Sequence, residues 1–147
     1  MSEHHAHVKW THTTESFAYP DYSRNHEWRF PNGAIVEASA APDFLGSEDR
    51  VDPEEAFVAS LASCHMLTFL AIAARRRLVV EAYEDRAVGT LAKNADGKLA
   101  VTEVILRPDV RFREAPAADA VAKMHHQAHE NCFLANSVVT AIRVEPI

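Results

Sequence analysis

The chain has 147 residues, 48% apolar and 24% charged, which fits one soluble globular domain and excludes a disordered segment. Its formal net charge is −6, and Lys and Arg never cluster beyond Arg75-Arg76-Arg77, so no basic footprint for nucleic acid is present. No apolar run follows Met1-Ser2-Glu3-His4-His5, which predicts no secretory signal and a cytoplasmic location, where thiols are normally kept reduced.

Weak alternation at Val8, Trp10, His12 and Thr14 predicts a strand within residues 7–17. Residues 24–30 alternate more clearly, Pro31-Asn32-Gly33 signals a turn, and residues 34–40 read as the returning strand of a hairpin. Residues 41–51 form a loop that carries the apolar pair Phe44-Leu45.

The first long helix is strongly signalled. Asp52 is its N-cap, Pro53 takes the first helical position, and Glu54 and Glu55 complement the positive end of the dipole. It is expected to run to about Arg77, where the Arg run suits the negative end. Ser60, Ser63, His65 and Thr68 interrupt its apolar stretch, so it reads as a core helix and not a membrane span. Apolar residues surround it almost completely, which predicts that a second subunit covers one face.

Leu78 to Tyr83 opens an extended segment. Strands follow over 86–92 and 99–113, joined by the turn Asn94-Ala95-Asp96-Gly97. Pro116 starts a second helix reaching about Asn131, and 138–144 is a terminal strand. The order βββ–α–βββ–α–β predicts an α+β fold with antiparallel sheets and two main helices.

The chain has two cysteines, Cys64 and Cys132, each at the end of a helical segment. Two thiols brought together by folding are the minimum equipment for a dithiol redox cycle, in which one is oxidised and the other resolves it as a disulfide. The plain alternative is a pair of inert core fillers. His125 and His129 stand at i, i+4 on the second helix, as zinc ligands can, with Cys132 nearby. No glutamate follows the first of these histidines, as a metalloprotease helix requires. His4, His5 and His7 read as a solvated tail.

Asp52-Pro53-Glu54-Glu55 precedes a small-residue helix ending in Ser63-Cys64; ten positions separate Glu54 from Cys64 and 68 separate Cys64 from Cys132. This combination resembles the OsmC/Ohr family of thiol-dependent hydroperoxide reductases, over nearly the whole chain. The resemblance implies an intertwined homodimer with two interfacial sites. In it Cys64 is the peroxidatic cysteine, Cys132 the resolving one, and Glu54 the acidic residue that pairs with an arginine of the N-terminal sheet. Arg24 and Arg29 are both candidates for that arginine, with Arg24 favoured because it opens its strand. The substrate implied is an organic hydroperoxide and the reductant a dithiol of the lipoyl type, with no metal or other cofactor and no membrane or nucleic-acid partner. Two residues depart from the family pattern: Phe133 stands where proline usually follows the second cysteine, and His65 where an aromatic usually follows the first.

Simple geometry adds a constraint. Ten residues of straight helix span roughly 15 Å, so Glu54 and Cys64 of one chain do not easily share a site. Two such helices packed antiparallel across a dyad would bring Glu54 of one subunit toward Cys64 of the other. A guanidinium beside Cys64 would favour its thiolate. Phe44, Leu45, Met66, Phe69 and Phe133 are candidates for an apolar pocket beside the thiols. A redox sensor or ligand-binding protein without turnover, and a metal-binding protein using Cys132 and the histidines, are the competing classes.

Overall fold

A computed structural model describes residues 1–147, which form two compact units, Met1–Ala56 and Phe57–Ile147. The first holds β1 (His7–Lys9), β2 (His26–Arg29) and β3 (Ile35–Ala38) in one antiparallel sheet of order β1-β2-β3. The hairpin between β2 and β3 closes at Gly33, whose φ of +87° lies where a side chain is strained, and Ala34 N–H donates to Asn32 Oδ1. The strands are shorter than expected. Residues 10–17 leave the sheet, and Arg24 lies before β2 and not within it. His7 opens β1 instead of belonging to a solvated tail.

The loop after β3 is pinned by Asn25. Its Oδ1 accepts hydrogen bonds from Ser39 Oγ at 2.9 Å and Ser47 Oγ at 2.7 Å. Gly46 is required there, because a Cβ would fall 1.5 Å from the carbonyl oxygen of Ala40. The loop then delivers Asp52 to the start of α1 (Pro53–Arg75). Asp52 Oδ1 accepts the Glu55 N–H at 2.7 Å while Glu55 Oε2 accepts the Asp52 N–H at 3.1 Å, a reciprocal capping box. The helix continues without a break past Ser60, whose hydroxyl bonds back to the carbonyl of Phe57. It closes at Arg77 in the left-handed region (φ +61°), with Leu78 N–H on Ala73 O and Arg77 N–H on Ala74 O.

The second unit contains most of α1, then β4 (Val80–Asp85), β5 (Val88–Lys93), β6 (Leu99–Leu106), β7 (Pro108–Phe112), α2 (Ala118–Asn131) and β8 (Ala141–Val144). β4 pairs with β7, and a separate sheet has the order β5-β6-β8. The expected single strand over 99–113 is therefore two. Pro108 has no N–H to offer a ladder, and the preceding Arg107 N–H is taken by Asp85 Oδ1 at 2.7 Å. All pairings are antiparallel except β6 with β8, which is parallel.

α1 serves two cores in this unit. Its C-terminal half places Phe69, Ile72 and Ala73 against Met124 and Ala128 of α2 and against Tyr83, Val110 and Phe112. Its earlier turns place Leu61, Phe57 and Val58 on Val104, Leu106 and Ile142. Burial of these side chains, each worth about 1.5–3 kcal/mol, holds the helix in register with the sheets. The outward stripe Ala59, Ser63, Leu67 and Ala71 stays exposed. α1 is long and apolar enough to cross a membrane by length and composition alone, but Leu61, Phe69 and Ile72 are committed to these protein cores.

Candidate active site

Cys64 lies in the middle of α1, and Cys132 caps the C-terminus of α2, where the backbone leaves helical geometry for φ −72°, ψ 116°. The two sulfurs meet 2.8 Å apart, well inside ordinary van der Waals contact, with the Cys132 thiol donating to Cys64 Sγ. Both cysteines are free thiols. Less than 1 Å of further approach reaches the disulfide length of about 2.05 Å.

The two thiols are not equivalent. Cys132 is 1% exposed, while Cys64 is partly open. Burial, reinforced by the hydrogen bond to Cys64, pushes the Cys132 thiol above its ordinary pKa. Cys132 therefore keeps its proton and offers it to Cys64, and its sulfur also accepts the Ala135 N–H at 3.5 Å. This arrangement suits an accessible nucleophile at Cys64 and a sheltered resolving thiol at Cys132.

His65 follows Cys64 and turns into the core. It is 1% exposed and His125 is 3% exposed. Phe69 stacks on the other partner in this pair, 4.3 Å from His125, and is fully buried. Phe69 is thus a core residue and does not line an accessible pocket. Phe133, at 82% exposure, is turned to solvent. The histidine that stands where the family pattern has an aromatic still works as a flat ring in a stack.

No three His, Cys, Asp or Glu side chains are grouped to hold an ion. His125 commits Nδ1 to His65, and His126 faces outward to Glu130 at 3.3 Å.

In the first unit, Arg24 and Arg29 have different surroundings. Arg29 is exposed and bonds Glu27 Oε2 at 2.6 Å, which holds the Glu27 carboxyl below its ordinary pKa. Arg24 is half-buried. Its guanidinium donates to the carbonyls of Tyr22 and Tyr19 and lies 3.8 Å from the centre of the Tyr22 ring. Within the chain it is held by these groups and not by Glu54, which stands in the first turn of α1. Arg24 does not open its strand as expected, because β2 starts at His26.

Arg24 also lines an open cleft of about 670 Å³ with Trp10, Phe17, Tyr19, Tyr22 and His26. Sequence reasoning missed this cleft. Its signal is the run of aromatics between residues 10 and 22, of which Trp10 and Phe17 fall within the expected strand over 7–17.

A family model described as OsmC-like protein matches residues 46–146. An OsmC-like protein of unknown function from Vibrio cholerae is 52% identical, with TM-score 0.96 and full coverage of both chains. An organic hydroperoxide resistance protein from Elizabethkingia anophelis shares the fold at TM-score 0.75 and 16% identity, covering 99% of this chain and 94% of its own. The organic hydroperoxide resistance protein OhrB of Bacillus subtilis does so at TM-score 0.66 and 15% identity, covering 97% and 98%. No curated protein matches the chain.

Proposed function

The chain belongs to the OsmC-like family, and on that premise we propose that it is a thiol-dependent peroxidase that reduces organic hydroperoxides to alcohols. The observation that carries this reading is the 2.8 Å approach of two free thiols from positions 68 residues apart. The hydroperoxide resistance named for the Elizabethkingia and Bacillus relatives belongs to those proteins, and it agrees with this reading.

The chemistry closes as follows. The Cys64 thiolate attacks the terminal oxygen of the hydroperoxide and the O–O bond breaks. The alkoxide leaves and takes up a proton to become the alcohol, while Cys64 becomes a sulfenic acid. The Cys132 sulfur then attacks Cys64 Sγ. Hydroxide departs with the Cys132 proton as water, and a Cys64–Cys132 disulfide remains. An external dithiol, of the lipoyl type in this reading, supplies two electrons and two protons to restore both thiols.

Arg24 is assigned the positive charge that steadies the thiolate and the departing alkoxide. Glu54 is assigned the role of orienting that guanidinium. A homodimer in which a second copy covers the exposed stripe of α1 completes the reading, with a cytoplasmic location that keeps the dithiol pool reduced. Light scattering at micromolar concentration should read twice the 16.3 kDa chain mass.

The deciding experiment is a steady-state assay of dithiol oxidation with an alkyl hydroperoxide and with hydrogen peroxide. Turnover that prefers the alkyl hydroperoxide supports the reading. Absence of hydroperoxide-dependent dithiol oxidation removes it and leaves a sensor or ligand-binding role.

A further inference from the structure

The second unit holds a small cleft of about 290 Å³ whose only polar side chains are histidines. α2 contributes His125, His126 and His129, and the chain from β8 onward contributes Ile142, Val144 and Pro146. The space takes an ion with its waters and little more.

Two nitrogens of the lining histidines lack partners. His125 is 3% exposed, and its Nε2 is buried without a hydrogen bond, as is Nδ1 of His129. Native proteins leave few buried polar atoms unpaired, so two of one kind at one cleft point to a ligand. His126 differs, because its ring is exposed and engaged with Glu130 Oε1 at 3.3 Å. His125 and His129 stand one helical turn apart, about 6 Å along the axis, and side chains at i, i+4 share a face. Two imidazoles so placed can reach one ion.

The bonding of His125 suits a ligand. Its Nδ1 is joined to His65 Nε2 by one hydrogen bond of 3.1 Å. With the proton on Nδ1 the ring donates to His65, and Nε2 keeps a free lone pair. His65 then orients the ring, a part usually played by an outer carboxylate or carbonyl. Burial holds the pKa of both rings at about 4, so a proton does not compete for that lone pair at neutral pH.

The lining also selects the ion. No carboxylate faces the cleft, so calcium and magnesium find no oxygen ligands there. No Lys or Arg lines it, so an anion finds no countercharge. Imidazole nitrogen suits zinc and copper. The Cys132 thiol is given to Cys64, and no three ligating side chains converge, so the protein supplies two ligands and water the rest.

We propose that His125 Nε2 and His129 Nδ1 form a two-histidine site for a divalent ion of the zinc and copper class, with its remaining positions open to the cleft. The proposal does not rest on the peroxidase reading.

The test titrates the full, reduced chain, first freed of metal by a chelator, with Zn²⁺ alone. Calorimetry reads the binding, and NMR of isotope-labelled histidine reads the ring nitrogens. His125 Nε2 and His129 Nδ1 should move most and saturate at one ion per chain. His129→Ala should weaken binding by about tenfold or more, the least that loss of even a supporting partner costs. His129 is only half-buried, so this variant tests the site even where His125→Phe folds poorly. His126→Ala should bind as the wild type does, and Cys64→Ser/Cys132→Ser should keep the histidine response. No saturable binding, shifts confined to His4, His5 and His7, affinity unchanged in His129→Ala, an equal loss in His126→Ala, or a response that vanishes from the folded cysteine variant would each overturn the site.

Discussion

The imidazoles of His65 and His125 lie face to face, 4° from parallel with centroids 5.4 Å apart, and are joined by one hydrogen bond of 3.1 Å between Nε2 and Nδ1. Burial drives the pKa of each down to about 4, and the neighbouring His125 and His129 add to the effect on His65. A folded pKa near 4 stands below the unfolded value of about 6.5. Between those two limits the unfolded chain holds more protons, so stability rises with pH there. The contribution is complete above pH 6.5 or so and is lost as pH falls toward 4. Scanning calorimetry from pH 7 to pH 4 should show a falling midpoint. The double variant His65→Phe/His125→Phe, which keeps two stacked rings and removes both titrating groups, should flatten that fall. An equal slope in both proteins would count against the buried pair as its source.

Cys64→Ser should lose peroxide reduction by roughly a hundredfold or more, because a hydroxyl is a far weaker nucleophile than a thiolate. The dithiol-coupled assay reads this directly. Wild-type activity in the variant would end the peroxidase reading.

Cys132→Ser should still permit one oxidation event. Cys64 would then stop at the sulfenic acid and proceed to sulfinic acid with excess peroxide. Intact mass after one equivalent of peroxide should show an added oxygen, whereas the wild type should lose two hydrogens. A variant that turns over at the wild-type rate would show that another reductant reaches Cys64 directly.

Arg24→Ala should slow both alkylation of Cys64 and hydroperoxide reduction by about tenfold at neutral pH, with the defect shrinking at high pH where the thiol ionises unaided. Arg29→Ala should change either rate by less than about twofold, because its guanidinium serves an exposed pair with Glu27. A larger defect in Arg29→Ala would transfer the role to Arg29. No defect in either would separate the thiols from both arginines.

Several features were legible because they are written locally. The start of α1 is one: Asp52, Pro53 and Glu55 are adjacent, and the capping box they form needs nothing distant. The hairpin at Gly33 is another. What escaped depends on partners far along the chain. The 99–113 run splits because Asp85 captures the Arg107 N–H, 22 positions away. The parallel placement of β8 beside β6 is decided by packing and not by any pattern within 138–144. The thiols were identified by spacing, but the burial that distinguishes Cys132 from Cys64 was not readable from either segment. In sequence His65 reads as a departure from an aromatic position and His125, 60 residues later, as a candidate metal ligand, and neither pattern carries their pairing.

Cys132 caps one helix and Cys64 sits within another, so a bond between their sulfurs staples the end of α2 to the middle of α1. Such a staple closes a ring spanning 68 positions, whose loss of unfolded-chain freedom is worth about 4 kcal/mol. Oxidation and folding are then thermodynamically linked: the oxidised protein melts higher, and by reciprocity the folded frame lowers the reduction potential of the pair by the same free energy. Any reductant of that bond would work against this free energy, and the melting temperature of the protein would become a gauge of its own redox state.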